Sequence, residues 1–342
     1  MPWRTHYDRL HLHTTKRLSQ LPYKKFQPHI PKYPGRLQVL EYLESYQRDF
    51  NIQPVFDTQV RSIQKEDNEW ITISSNGIFR SKHLIMATGA YGRPRPVDFK
   101  GIDSFTGSVL HSSQYKTGKQ FHGQKILVVG FGNSACEIAL DLYEEGAFPS
   151  MSVRSPVNVL PRDIFGIPVL KLGLLMSVFP PRLADKLTAP LIRLLTGDIT
   201  EMGLRKLTYG PLEQIQKDQT VPLLDIGTVK LIREKHCVVY DDIDHIENKT
   251  VFFQNGKRDD FEGIVAAIGY DKAYEQALLE IDKTRFDDLN VAADRQKYFG
   301  KDGLYFCGFY VSPTGQIREI GLDAQRIARS ILRNNSEPNK KL

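Results

Sequence analysis

Gly130, Gly132 and Ala135 fall in the order G-x-G-x-x-A, with Asn133 and Ser134 between the second glycine and the alanine. An apolar run at 125–129 precedes them and Glu137-Ile138-Ala139-Leu140 follows, so the pattern predicts a buried strand, a tight turn and a helix. In that context the first glycine makes the turn, the second lets the backbone approach a pyrophosphate, and the small third residue lets helix and strand pack closely. The N–H groups at the helix start then face the phosphates. The chemistry implied is dinucleotide binding, with Gly130, Gly132, Asn133, Ser134 and Ala135 as its contacts. A glycine-rich turn without a ligand shares the glycines, and the strand and helix around them argue against it.

The next predicted strand, at 150–153, ends at Arg154 and Ser155. They stand roughly 20–25 residues after the first glycine, where an acidic residue would hold an unmodified ribose 2′-OH. An arginine there offers a planar cationic fork to a 2′-phosphate. Arg154 therefore favours NADP over NAD, and the plainer alternative is a solvated surface arginine.

Residues so placed need an α/β frame, and the rest of the chain supplies its signals. A helix is predicted at 37–50, strands at 52–63 and 70–74, and a short buried strand at 83–87. After the dinucleotide unit at 124–143 come an apolar helical region at 163–218 and strand and turn at 238–251. A buried strand at 263–267, a strand at 303–307 and a helix at 319–332 complete the series. This alternation predicts a largely parallel sheet. Two strands echo one another, one ending in Ala87-Thr88-Gly89 and the other in Ala267-Ile268-Gly269. Each glycine marks either a close approach to a ligand or an ordinary strand end.

At 342 residues the chain suits two domains, or one domain with another inserted. Its net charge of +6 is spread along the chain, which suits anionic cofactors and shows no aromatic-interleaved basic stripe of a nucleic-acid binder. Cys136, Cys237 and Cys307 follow no C-x-x-C spacing. That argues against a disulfide framework, a metal site and a dithiol centre, and for a reducing, cytoplasmic setting. Met1-Pro2-Trp3-Arg4 is not the start of a signal peptide. The most apolar stretch, 169–179, contains Lys171, ends at Pro180-Pro181 and is too short to span a bilayer. The tail at 334–342 is polar and basic, so no membrane anchor is expected.

Phe105, Gly107, His111 and Tyr115 fall as F-x-G-x-x-x-H-x-x-x-Y, just before the dinucleotide unit. With Tyr7-Asp8-Arg9-Leu10, Gln20-Leu21-Pro22, Val159-Leu160-Pro161-Arg162, Tyr209-Gly210-Pro211 and Leu224-Asp225-Ile226-Gly227, this run of motifs spans nearly the whole chain. In these features the chain resembles the flavin-containing monooxygenases, most closely the plant-type branch that includes the indole-3-pyruvate monooxygenases. The resemblance implies an α/β fold of two Rossmann-like, FAD/NAD(P)-binding domains. They would be arranged as an FAD-binding part at 1–115, an NADP-binding domain at 116–262 with a helical insertion at about 163–218, and a second FAD-binding part at 263–342.

It also implies an NADPH- and FAD-dependent enzyme that oxygenates a small organic substrate through a C4a-(hydro)peroxyflavin. The substrate class is an amine, a thioether or a 2-keto acid such as indole-3-pyruvate, and the other partner is O2. NADP would rest on the residues around Gly130 and on Arg154 and Ser155. FAD would meet His13, Thr14, Gln20, the turn Ala87, Thr88 and Gly89, and the late loop from Gly308 to Gln316 and Ile317. His13 and Asn133 are the catalytic candidates. His13 stands where many animal-type members have an asparagine, and a histidine at a core edge is its plainer reading. His111 is expected to position the linker, with Gly107 as a bend and Tyr115 one turn from His111 if the segment is helical. Tyr115-Lys116 replaces the tryptophan-proline of Baeyer–Villiger members. The apolar region 164–195 is either a substrate cover or a packing layer, and a homodimer stays open.

The family begins with another strand–G-x-G-x-x-G–helix unit for the ADP part of FAD. Trp3 matches a tryptophan beyond that unit, so the first domain is expected to be incomplete at its N-terminus by roughly 30–45 residues, about one βαβ unit. Losing two charge-assisted hydrogen bonds of about 1.5–3 kcal/mol each would cost about two to four decades of affinity. Weak FAD binding and poor folding are the expectation for the chain as it stands. The alternatives are an NADP-binding remnant that no longer holds FAD, and an NADPH:flavin oxidoreductase.

Overall fold

The computed structural model describes residues 2–89, 92–176, 178–218, 220–271, 299–309 and 315–336. The chain forms two compact units. The first takes Met1–Thr15, Ile30–Glu41 and Pro94–Gly269, and the second takes Lys16–His29, Tyr42–Arg93 and Tyr270–Leu342.

The first unit is built on a five-stranded sheet in the order Val238–Tyr240, Phe148–Ser152, Lys125–Val129, Gly263–Ala266, Ser108–His111. All four pairings are parallel. Parallel strands need both faces covered, which is why 125–129 and 263–267 read as continuous apolar runs. Alternate residues go to opposite faces. Ile126 and Val128 join a core with Ile138 and Leu142 of the helix Asn133–Glu144 and with Val229 and Ile232 of the helix Thr228–Arg233. Leu127 and Val129 join the other core, with Val251, Phe253 and Phe261. That second layer is the antiparallel meander Ile243–Glu247, Thr250–Phe253 and Arg258–Asp260.

Ser108–His111 and Gly263–Ala266, placed by the sequence in the flavin-binding parts, pair with the sheet that carries the dinucleotide turn. The region at 163–218 opens with a small hairpin, Asp163–Ile164 against Ile167–Pro168, before its helices begin. Its two turn residues, Phe165 and Gly166, both have positive φ, the twist a two-residue hairpin needs. The helices Val169–Met176, Pro181–Thr196 and Pro211–Asp218 follow. Leu183, Leu187 and Leu194 stay exposed on the second of these, so that helix is no plain buried packing layer.

The second unit holds an antiparallel meander, Val60–Glu66, Glu69–Ser74 and Gly77–Ser81, and a parallel pair, Leu84–Met86 with Leu304–Phe306. Ile63, Trp70, Met86, Leu304 and Phe309 form its core. The strand expected from 52 begins only at Val60. Residues 52–56 are exposed around Pro54, which has no N–H for a ladder. The last helix, Gln316–Ser336, is longer than its predicted span. Among the described residues no helix is long and apolar enough to cross a membrane.

Candidate functional site

The dinucleotide turn has the geometry its glycines require. Gly130 has φ +118°, and a Cβ placed on it would lie 2.7 Å from the Ala267 carbonyl oxygen. Its N–H donates to the Ser152 carbonyl at 2.9 Å, which fixes the turn on the neighbouring strand. A Cβ on Gly132 would meet nothing within 4 Å, so open space lies over the second glycine. Gly132 caps the helix Asn133–Glu144 without a side-chain hydrogen bond, and the first turn carries no acid. Its N–H groups are therefore available to an anion, and the helix dipole favours one. A pyrophosphate fits here. Ala135 is fully buried, as close helix–strand packing demands, and Ser134 is exposed. Asn133 spends its Oδ1 on the Leu224 N–H at 3.0 Å, which leaves its amide hydrogens as the donors it can turn to a ligand.

Arg154 and Ser155 are exposed immediately after the strand Phe148–Ser152. Arg205 donates to the Arg154 carbonyl and also reaches Asp241 Oδ1 at 3.4 Å. The end of the strand thus carries Arg154 and, tied to its carbonyl, the guanidinium of Arg205. Arg205 lies 51 residues from Arg154 in sequence and belongs to no motif, so sequence reasoning had no signal for it.

Residues between Tyr7 and His13 meet the same helix. Arg9 forms a two-pronged pair with Glu144, at 2.8 and 2.7 Å, and this bonding holds the Glu144 carboxyl below the usual carboxylate range. His13 Nε2 meets Glu137 Oε1 in a short contact. Burial, and after it the Glu137 charge, pushes the hydroxyl of the buried Tyr7 well up, and Ser134 acts on it in the opposite sense. The structure therefore brings His13 to the dinucleotide helix. Glu137 escaped the sequence reading because it looks like an ordinary helical position, and Tyr7 enters that reading only as part of a motif, without this partner.

The linker motif is a strand and a turn, not a helix. Ser108–His111 is paired in the sheet, and the Gln114 N–H then returns to the His111 carbonyl at 2.8 Å. His111 is buried. The Ser113 N–H donates to its Nδ1 at 3.1 Å, so Nε2 carries the proton and donates to the Gly269 carbonyl at 3.1 Å. Burial pushes its pKa down, which agrees with a neutral positioning residue. Tyr115 is fully buried and donates to Asp141 Oδ2 at 2.6 Å, an oxygen that also accepts from the Gly118 N–H at 2.7 Å. Gly107 lies at a bend before the strand and also serves close approach: a Cβ there would meet the Glu262 carbonyl oxygen at 2.4 Å and the Phe105 ring at 2.7 Å.

The family described as pyridine nucleotide-disulphide oxidoreductase matches residues 11–159. The probable indole-3-pyruvate monooxygenase YUCCA4 of Arabidopsis thaliana is 36% identical over 306 residues, covering 89% of this chain and 74% of that protein. The indole-3-pyruvate monooxygenase YUCCA6 of the same plant is 37% identical over 336 residues, covering 95% and 80%. The chain belongs to the flavin-containing monooxygenase family, in its plant-type indole-3-pyruvate monooxygenase branch. Solved structures show the shared fold. A flavin-containing monooxygenase from Stenotrophomonas maltophilia aligns with TM-score 0.67 at 16% identity, covering 98% of this chain and 88% of that one. Cyclohexanone monooxygenase from Rhodococcus sp. Phi1, bound to NADP+, aligns with TM-score 0.74 at 17% identity, covering 98% and 78%.

In this flavin-containing monooxygenase, the second unit carries most of the residues expected to meet FAD. Ala87, Thr88 and Gly89 follow the strand Leu84–Met86, and Gly308 follows its parallel partner. Carboxyl ends of parallel strands are where α/β sheets bind ligands. Gly89 and Gly308 both have φ +83°, and a Cβ on Gly89 would meet open space. Gly308 donates its N–H to the buried Asp323 at 3.2 Å, and Gln316 donates to its carbonyl, tying the two ends of the late loop. Residues 310–314 of that loop lie outside the described residues. Ile317 is half-buried, Gln20 belongs to the second unit, and Thr14 belongs with His13 to the first. Both glycine turns thus stand at the carboxyl ends of one parallel strand pair. Cys136 and Cys237 are buried, which pushes both thiols up, Cys237 to about 12, so neither suits thiolate chemistry.

Proposed function

We propose that this monooxygenase uses NADPH, FAD and O2 to convert a 2-keto acid of the indole-3-pyruvate class into the acid one carbon shorter. Keto acid, O2, NADPH and a proton give the shortened acid, CO2, NADP+ and water. One atom of O2 enters the acid and the other leaves as water. The observation that carries the reading is the open pyrophosphate cradle at Gly130–Ala135 with Arg154 and Arg205 beyond it. Relatives named for this reaction, 36–37% identical, support the substrate class.

Gly130, Gly132 and the free N–H groups of the helix start bind the pyrophosphate, with the amide of Asn133 and the hydroxyl of Ser134 beside them. Arg154, Ser155 and Arg205 hold the 2′-phosphate. Gln20, Ala87, Thr88, Gly89, Gly308, Gln316 and Ile317 hold FAD. When bound, FAD supplies hydride acceptance and the reaction with O2, and the chain supplies binding and orientation. His111 and Tyr115 fix the linker and move no proton. Cys136 and Cys237, both buried as thiols, support a reducing, cytoplasmic setting.

Anaerobic mixing with NADPH or NADH tests the cofactor half of this reading. With FAD supplied, NADPH should bleach the flavin absorbance at least about tenfold faster than NADH at equal, low concentration. Equal rates would remove the role given to Arg154, and no bleaching by either would end the reading.

A further inference from the structure

The Glu137 side chain is 1% exposed and that of His13 is 16% exposed. Beyond the contact between Oε1 and Nε2, Glu137 Oε2 and His13 Nδ1 are both buried with no hydrogen-bond partner. A carboxylate in such a place is expensive, and an apolar residue on this buried helix face would cost less. Glu137 also lies four residues, one turn, from Asn133, so its charge sits about 6 Å along the axis from the anion-binding end of the helix. An uncompensated negative charge there opposes the helix dipole and repels a phosphate.

We propose that His13 is a positioning residue that cancels the buried charge of Glu137, so that the helix start keeps its positive potential for the cofactor phosphates. The Nε2–Oε1 contact sets an imidazole, the one side chain here able to bring a positive charge, directly against the buried carboxylate. The same contact pins the first fifteen residues to the helix near its start, as the Arg9–Glu144 pair does at its end. Tyr7 lies between the pair and the turn, since Glu137 and Ser134 both act on its hydroxyl. The other charged or titratable groups that feel Glu137 are His6, Arg9 and the buried thiol of Cys136, and Arg9 is already engaged by Glu144. The proposal rests on residues 130–135 being the NADP site.

Calorimetric titration of NADP+ into the full chain, with melting temperatures beside it, tests this. His13→Gln keeps a hydrogen-bond donor but cannot supply the proton, and it should weaken NADP+ about ten- to a hundredfold. Adding Glu137→Gln to it removes the charge and should bring affinity back to within about threefold of the parent. A structural contact alone would not be rescued by removing its second partner. Unchanged affinity in His13→Gln would overturn the proposal. If that variant does not fold, the double variant decides. Binding within threefold supports charge cancellation, and a folded double variant that has lost NADP+ contradicts it. A parent chain that binds no NADP+ would instead remove the reading of the site itself.

Discussion

Arg154 and Arg205 are the residues proposed to tell a 2′-phosphate from a 2′-hydroxyl. Both are exposed, so their value lies in a phosphate that neutralises them and not in the stability of the fold. Arg154→Ala should lower NADP+ affinity about 10- to 100-fold, the worth of one or two charge-assisted hydrogen bonds. NAD+ binding should change less than about threefold, since it lacks the phosphate. Titration with both nucleotides checks this, and equal losses would mean that Arg154 serves the loop itself. At this scale the sequence shows the turn residues plainly, because strand, glycines and helix are adjacent. It hides Glu137, whose partner is 124 residues away, and Arg205, because such pairings are settled by tertiary packing and leave no local pattern.

The linker shows how an element overrides a spacing. Four residues separate His111 and Tyr115, as on a helix, yet the sheet claims Ser108–His111 and a turn sends Tyr115 under the dinucleotide helix. Hydrogen bonding to a strand about 150 residues distant decided this, and no window of the sequence contains that partner. Likewise the third strand of the small meander, Gly77–Ser81, went unread because its residues are exposed and show no buried alternation. The linker histidine gives a pH prediction. Unfolded, His111 takes a proton at about 6.5, while burial pushes its folded pKa lower. Between those values the unfolded state binds more protons, so this contribution is complete above about 6.5 and is lost as pH falls below it. The denaturation midpoint should therefore fall more between pH 7.5 and 5.5 in the parent than in His111→Gln. An equal fall in both would show that the histidine takes its proton alike in both states.

At the scale of the whole molecule, alternating strand and helix signals were enough for an α/β fold with a parallel sheet, and the central strands were visible as unbroken apolar runs. How the two units interleave was not visible. Each unit gathers three separate stretches of chain, and the crossings depend on which distant strands pair. The cofactor residues follow the same division, with the pyrophosphate cradle in the first unit and the glycine turns after Leu84–Met86 and Leu304–Phe306 in the second. The central claim is that these parts together perform NADPH-dependent oxygenation of a keto acid. The most direct measurement supplies the chain with FAD, NADPH, O2 and indole-3-pyruvate and quantifies indole-3-acetate against NADPH consumed. The account predicts the acid in proportion to NADPH, close to one for one. NADPH consumed with hydrogen peroxide as the sole product would contradict it and make the protein an NADPH:flavin oxidoreductase, and FAD-supplied chain that consumes no NADPH would leave it without this activity.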